Sequence, residues 1–392
     1  MNPAPPSSPP LAPASVRNAY IDGLRGWSIF GVVCIHFAGS FVSAGNAWTP
    51  SFFLGLVLNQ IFNFAVPLFL FLSGLLAGSA SSKAPPSLGA YYLSRFRRIV
   101  LPYLAASVAS FFLLNHYREW LALPTFDARA AWMASRLFFY GVEPTLYFIP
   151  LVISLYLLQP ALKALPRWLS VLTSQVIARG IRPETFAVAL AVLFLGVHLA
   201  LGTMCYRNTL NYYDWARPNA LFWLFYFFAG LHFRSITAFI PRRALSLTVW
   251  TGLVTALFAM EWNFIQLTDS QVVGLNFEFS KIDYAYVRPE MLIYDFTVVA
   301  ALAAGLALGW NWRAGVAAYL GRFSLEIYLW HILVLYFGAW QFSEALAACR
   351  EMPELIVIIC AGACGLIAFA ADRMPRLLAA IRQYRLLLVK VS

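Results

Sequence analysis

The chain has 392 residues, 61% of them hydrophobic and only 11% charged, with a net charge of +11 and a mean hydropathy of +0.70. A soluble domain of this length needs far more charge on its surface, so the composition excludes an ordinary globular protein and indicates a polytopic membrane chain. The 13 tryptophans and 19 tyrosines fit that class, because amphipathic rings collect where hydrocarbon meets headgroups.

The first stretch, "MNPAPPSSPPLAPASVRNAY", is rich in proline, serine and alanine, holds one basic residue, Arg17, and lacks an apolar h-region. It reads as a disordered tail over residues 1–19 and not as a cleaved signal peptide. A helix needs about 20 largely apolar residues to cross the hydrocarbon. Ten windows meet that requirement, at 24–44, 52–78, 98–115, 145–166, 185–204, 219–234, 246–267, 290–310, 316–341 and 354–371. The sixth and the last are the weakest. The expected fold is all-α, a polytopic helix bundle of about ten transmembrane helices over residues 20–372, followed by a basic cytoplasmic tail at 373–392. Ending at Ser392, the chain is not expected to carry a further soluble domain.

Charge orients this bundle. With both termini cytoplasmic, all Lys and Arg except Arg118, Arg129, Arg136, Arg207, Arg217, Lys281, Arg288 and Arg350 fall in or beside cytoplasmic segments, and most acidic residues lie opposite. That bias supports an even number of spans with both ends inside. It also accounts for the net charge without nucleic acid, for which no binding motif is present. Residues 116–144, including "FDARAAWMASRLFFYG", suit a helix lying in the interface, and residues 167–183 have the same character. Neither is long enough for a soluble domain, so any chemistry must be built inside the bundle. No internal repeat of the kind that marks many secondary transporters is visible. The five cysteines lack CxxC spacing, and no HExxH or clustered ligand spacing occurs, so neither a metal nor a disulfide framework is expected.

Ionisable groups inside spans are costly, and each marks a candidate site. The first span, "DGLRGWSIFGVVCIHF", carries Asp22, Arg25 and His36. Arg25 and His36 are about 16 Å apart along a helix, so Arg25 sits near one boundary and His36 well inside. For Arg25 the residues leave snorkelling at a helix end open beside a ligand role. For His36 they leave hydrogen bonding to another helix open beside proton transfer. In the second span Asn59, Gln60 and Asn63 fall within about one turn and suit bridges to another helix, while Ser73 and Gly74 suit close helix packing. In "YYLSRFRRIVLPYL", Arg95, Arg97 and Arg98 crowd the start of the third span, with Arg95 and Arg98 on one face. Guanidinium forks spaced this way suit a phosphate-bearing ligand, and a positive-inside anchor is the alternative. Asp295 in the eighth span is a buried carboxylate needing a partner. In "LGRFSLEIYLWHILVL", Arg322 and Glu326 stand at i, i+4, the spacing of a neutralising pair, while His331 points elsewhere, toward the cavity expected around His36.

Together these pieces resemble acyltransferase family 3, the integral-membrane acyltransferases that modify extracytoplasmic glycans and other acceptors. "YIDGLRGWSIFGVVCIHF" resembles the family's opening segment, with its arginine, ten residues and histidine, and "VPLFLFLSGLLAG" resembles its second-helix pattern. "YYLSRFRRIVLPYL" resembles its R-x-x-R segment, "LYFIPLVISLYLLQPAL" its fourth-helix stretch and "LGRFSLEIYLWHILVL" its late I-Y-L-x-H motif. They occur in the family's order over residues 20 to about 335. Relatives often begin the fourth-helix segment His-Leu-Trp-Phe, where this chain has Thr145, Leu146, Tyr147 and Phe148, which puts the usual acceptor in doubt. Some members append a periplasmic hydrolase-like domain, which is not expected here.

The resemblance implies an O-acyltransferase that takes an acyl group, acetyl first, from cytoplasmic acetyl-CoA or another acyl-CoA. The acceptor is a hydroxyl of an extracytoplasmic glycan or related envelope molecule. It implies His36 as general base, with an acyl-histidine intermediate as the chemical alternative. Arg25 would act on oxyanion charge or donor, and Arg95, Arg98 and Arg97 on coenzyme A phosphates. Asp22, Asn63, Tyr147, Asp295, Arg322, Glu326 and His331 are the candidate cavity-lining residues. The expected setting is a bacterial inner membrane, with membrane lipid, the acceptor and a polysaccharide synthesis complex as partners and no nucleic acid. Two rivals use the same buried charges: a transporter, or a non-catalytic subunit of a polysaccharide synthesis or export assembly. Within enzymes, the rival is transfer of succinyl or a longer acyl group.

Overall fold

The computed structural model describes residues 18–43, 49–79, 87–175, 180–269, 285–310 and 315–391, and helices account for every regular element among them. The all-α expectation holds. The proline-rich stretch lies outside the described residues except for Asn18 and Ala19. Asn18 caps α1 (Ala19–Gly39), its side-chain oxygen accepting from the Tyr20 and Ile21 amides. The principal helices that follow are α2 (Pro50–Ser79), α3 (Leu88–Leu113), α4 (Pro144–Ser174), α5 (Pro183–Tyr206), α6 (Ala220–Leu231) and α7 (Arg242–Asp269). After them come α8 (Pro289–Ala307), α9 (Gly315–Arg322), α10 (Ser324–Trp340) and α11 (Glu354–Val391).

Seven of these helices are long and apolar enough to cross a membrane, and eight if α9 and α10 count as one span bent by 85°. Two of the ten sequence windows are not among them. The apolar run of α1 is interrupted by Asp22, Arg25 and His36, and α6 has 12 residues. Both are interior elements. Leu24, Ile29, Val33 and Phe37 of α1 are almost fully enclosed, as are Phe222, Trp223, Phe227 and Phe228 of α6. By contrast α3 and α5 turn Val108, Phe112, Val192 and Leu193 outward, as helices facing lipid do.

Small residues bring the interior helices together. A methyl group added at Gly26 would meet the Ala317 carbonyl oxygen at 1.8 Å, and one at Gly321 would meet that of Asp22 at 1.8 Å, so α1 and α9 touch backbone to backbone. The second half of α2 meets α6 in the same manner, through Gly74 against Phe227 and Gly230 against Phe71. The close packing expected of Ser73-Gly74 is therefore present. α1 also contacts α2, α10 and α11, and α7 lies along α8.

The segment between α3 and α4 forms short helices at His116–Ala122 and Phe126–Ser135, the second extended by a wider turn at Arg136–Tyr140. Phe126, Phe138 and Phe139 point outward, in keeping with an interfacial location. Residues 167–174 are not a separate interfacial helix: α4 runs unbroken through Pro166 to Ser174. The basic segment at 373–391 continues α11 as helix.

Candidate active site

Two cavities lie side by side in the bundle. The first, about 390 Å³, is lined by His36, Asn59, Asn63, Thr145, Tyr147, Phe148, Tyr212, Tyr213, Arg217, Tyr286 and Tyr328 among others. The second, about 340 Å³, is lined by Arg25, Ser73, Arg95, Arg98, Phe148, Tyr156, Ser324 and Tyr328 among others. Phe148 and Tyr328 line both, with ring centres 5.5 Å apart, so this pair of rings stands between the two spaces. Tyr328 is fixed there by donating its hydroxyl to the Thr145 carbonyl.

His36 lies near the end of α1, in the first cavity. Its ring stacks on that of His331 from α10, with centroids 5.3 Å apart and planes 30° from parallel. His331 is wholly enclosed. Its Nδ1 donates to the Tyr328 carbonyl at 2.7 Å, which leaves the lone pair of the neutral ring on Nε2. Among the described residues that Nε2 has no hydrogen-bond partner. His331, expected to line the His36 cavity, is not among its lining residues and stands behind His36 in direct ring contact with it.

Arg25 lies in the second cavity, donating Nη2 to Ser324 Oγ at 2.8 Å and standing 3.8 Å from the Asp22 carboxylate. The glycine contacts of α1 with α9, and the sharp bend between α9 and α10, put Ser324 within this reach. Arg95 lies over the rings of Tyr156, at 4.5 Å, and Tyr91, at 5.3 Å. Arg98 lines the same space, whereas Arg97 is exposed and turned elsewhere. A wider, five-residue hydrogen-bonded turn over Phe96–Val100 separates Arg95 from Arg98, and both still reach one cavity.

Asn63 lines the His36 cavity and donates Nδ2 to Asp295 Oδ2 at 2.8 Å, so Asp295 stands behind the wall as support. Asn59 and Gln60 bridge as their spacing predicts. Asn59 Nδ2 reaches the Ile35 carbonyl at 3.4 Å, and Gln60 Oε1 accepts from Arg288 at 2.9 Å and Asn263 at 3.2 Å. Arg288 in turn pairs with Glu290 at 3.3 Å.

Arg322 and Glu326 depart from expectation. The helix breaks at Phe323, so they do not share one continuous helix, and they form no ion pair. Arg322 is exposed, and neither residue lines the two cavities.

Sequence reasoning missed Ser324, Tyr156, Tyr212, Tyr286, Tyr328 and Arg217. A tyrosine in an apolar run looks like any interfacial ring, and Arg217 looks like one more loop arginine. Within the segment between α3 and α4, His116 Nε2 lies 2.9 Å from the carboxylate of Glu143, the residue just before α4. Hydrogen bonding to that carboxylate raises the His116 pKa above the usual histidine range. Among the described residues no group of three or more His, Cys, Asp or Glu gathers as a metal site.

A family model described as an acyltransferase domain matches residues 18–371, nearly the whole of the helical bundle. No curated protein and no solved structure matches the chain.

Proposed function

The chain belongs to acyltransferase family 3 and is an integral membrane acyltransferase; from that premise we propose that it moves an acyl group, acetyl in the simplest case, from acyl-CoA in the arginine-lined cavity to an acceptor hydroxyl in the histidine-lined one. The observation that carries this reading is the placement of a guanidinium cluster and a histidine pair on opposite sides of one thin wall, Phe148 and Tyr328. A coenzyme A donor needs cations for its phosphates, and Arg95 and Arg98 supply them beside Arg25. Because Arg25 lines the arginine cavity and His36 does not, Arg25 serves the donor and not the oxyanion.

The chemistry follows from His36. With the thioester end of the donor reaching past Phe148 and Tyr328, a ring nitrogen takes the proton of the acceptor hydroxyl as its oxygen bonds to the thioester carbonyl carbon; the carbon–sulfur bond then breaks, and the departing thiolate recovers that proton to leave as coenzyme A thiol. His331, stacked on His36, orients the ring. The acceptor on this reading is a hydroxyl of an extracytoplasmic glycan or related envelope molecule, reached from the outer face of a bacterial inner membrane.

The test uses protein in nanodiscs, with acetyl-CoA binding and turnover measured for wild type, His36→Ala and the Arg95→Ala, Arg98→Ala double variant. His36→Ala should bind donor normally and lose about 100- to 10,000-fold in transfer rate. Losing two charge-assisted phosphate contacts should weaken donor binding by about tenfold or more. A wild-type protein that neither binds nor consumes any acyl-CoA would sink the proposal.

A further inference from the structure

Arg217 has no part in the chemistry above, yet it is the cation on the far side of the His36 cavity from the donor. It follows a one-turn helical segment at Tyr212–Ala216 and lines two spaces: the His36 cavity, and an outer vestibule of about 350 Å³ that also includes Trp132, Arg136, Tyr140 and Asp214. Tyr147 and Tyr213 line both spaces with it, and no residue of the arginine-lined donor cavity lines the vestibule. Arg217 therefore stands on the route by which a second substrate reaches His36 without crossing the donor site.

Its guanidinium is held in place but not neutralised. It lies 3.9 Å from the centre of the Tyr147 ring and 5.7 Å from that of Tyr213, and Nη2 donates to the Pro144 carbonyl at 2.9 Å. Among the described residues no carboxylate pairs with it; Asp214 of the same vestibule is exposed and makes no ion pair with it. Arg217 is half-buried, and a guanidinium held among rings with no counter-charge of its own is a ready partner for an anionic ligand. The remaining wall is aromatic: Tyr212 stacks on Tyr286 with ring centres 6.3 Å apart, and Tyr328 closes the inner end. Flat rings suit the C–H faces of a sugar, and a planar guanidinium suits a carboxylate or phosphate.

We propose that Arg217 and this tyrosine wall form the acceptor subsite, and that the acceptor is a glycan bearing an anionic group, carboxylate or phosphate ester, close to the hydroxyl that is acylated. The inference rests on the acyltransfer reading of the His36 cavity. Its position on the vestibule side assigns the anion to the acceptor instead of to a dicarboxylic acyl group.

The experiment measures equilibrium binding of methyl glucuronide, glucose 6-phosphate and neutral methyl glucoside to the full chain in nanodiscs, alongside binding of acetyl-CoA and succinyl-CoA. Wild type should favour the anionic sugars over the neutral one by about tenfold or more. Arg217→Gln should erase that preference, Arg217→Lys should retain part of it, and acetyl-CoA binding should be unchanged in both. Equal binding of charged and neutral sugars, or a preference that survives Arg217→Gln, overturns the subsite and leaves the acyltransfer reading standing if acetyl-CoA still binds. A succinyl-CoA preference that Arg217→Gln abolishes, with sugar charge immaterial, moves the anion to the acyl group and overturns the acceptor assignment. An anion preference with no acyl-CoA binding of any kind removes the acyltransfer reading, and the acceptor assignment falls with it.

Discussion

Asn63 and Asp295 illustrate how one residue of the cavity wall depends on another behind it. Asp295 is 2% exposed, with Oδ2 held by Asn63 and Oδ1 without a partner among the described residues, so its burial is only partly compensated. Removing the amide leaves a buried carboxyl with no donor, which costs about 1–3 kcal/mol. Asn63→Ala should therefore lower thermal stability in detergent by that order. Adding Asp295→Ala should recover part of the loss, because the orphaned group goes with it. A double variant as unstable as the sum of the singles would show that the two residues act independently. At this scale the sequence was legible wherever an ionisable group interrupted an apolar run, as at Arg25, His36, Asp295 and His331. It was not legible where the group was ordinary for its setting, as at Ser324, Tyr328 and Arg217. A hydroxyl or ring near a boundary has too many inexpensive explanations, and only the fold brings it to a cavity.

At the scale of elements, the helix pairs are set by side chains that are absent. α1 can offer Arg25 to Ser324 only because Gly26 and Gly321 let its backbone meet α9. A methyl group at Gly26 would meet backbone, not the yielding end of a side chain, so the helices must separate. Overpacking of this kind costs about 1–3 kcal/mol, and Gly26→Ala should lower the thermal midpoint in detergent. On the proposed reading it should also weaken acyl-CoA binding more than it slows transfer, since Ser324 and Arg25 lie on the donor side. Unchanged donor binding in a folded Gly26→Ala protein would show that the α1–α9 contact does not set that cavity. The same contacts explain two misreadings of the chain. Residues 316–341 look like one uninterrupted span, because a helix bent by 85° at Phe323 keeps the hydropathy of a straight one. Arg322 and Glu326 look paired for the same reason: i, i+4 spacing has meaning only while the helix continues.

At the scale of the whole molecule, the proposed reading, with an acyl donor on one side and an acceptor on the other, requires that the two cavities open in opposite directions. α1 runs from Asp22 and Arg25 toward His36, the last two about 16 Å apart along its axis. α2 returns from Asn59 and Asn63, beside the histidines, to Ser73, beside the arginines. The order of residues along these two helices thus puts each cavity nearer a different end of the bundle. Its five native cysteines are all buried, which gives a low background for thiol labelling. Tyr213→Cys, at the vestibule shared with the His36 cavity, and Ser73→Cys, in the arginine cavity, should react with a membrane-impermeant maleimide from opposite faces. Tyr213→Cys is expected to label in right-side-out vesicles and Ser73→Cys in inverted ones. Acyl-CoA should protect Ser73→Cys and leave Tyr213→Cys reactive, because Phe148 and Tyr328 stand between the two sites. Labelling of both from one face would mean a single-sided site, and a thioester could then not meet an acceptor across the membrane by this route.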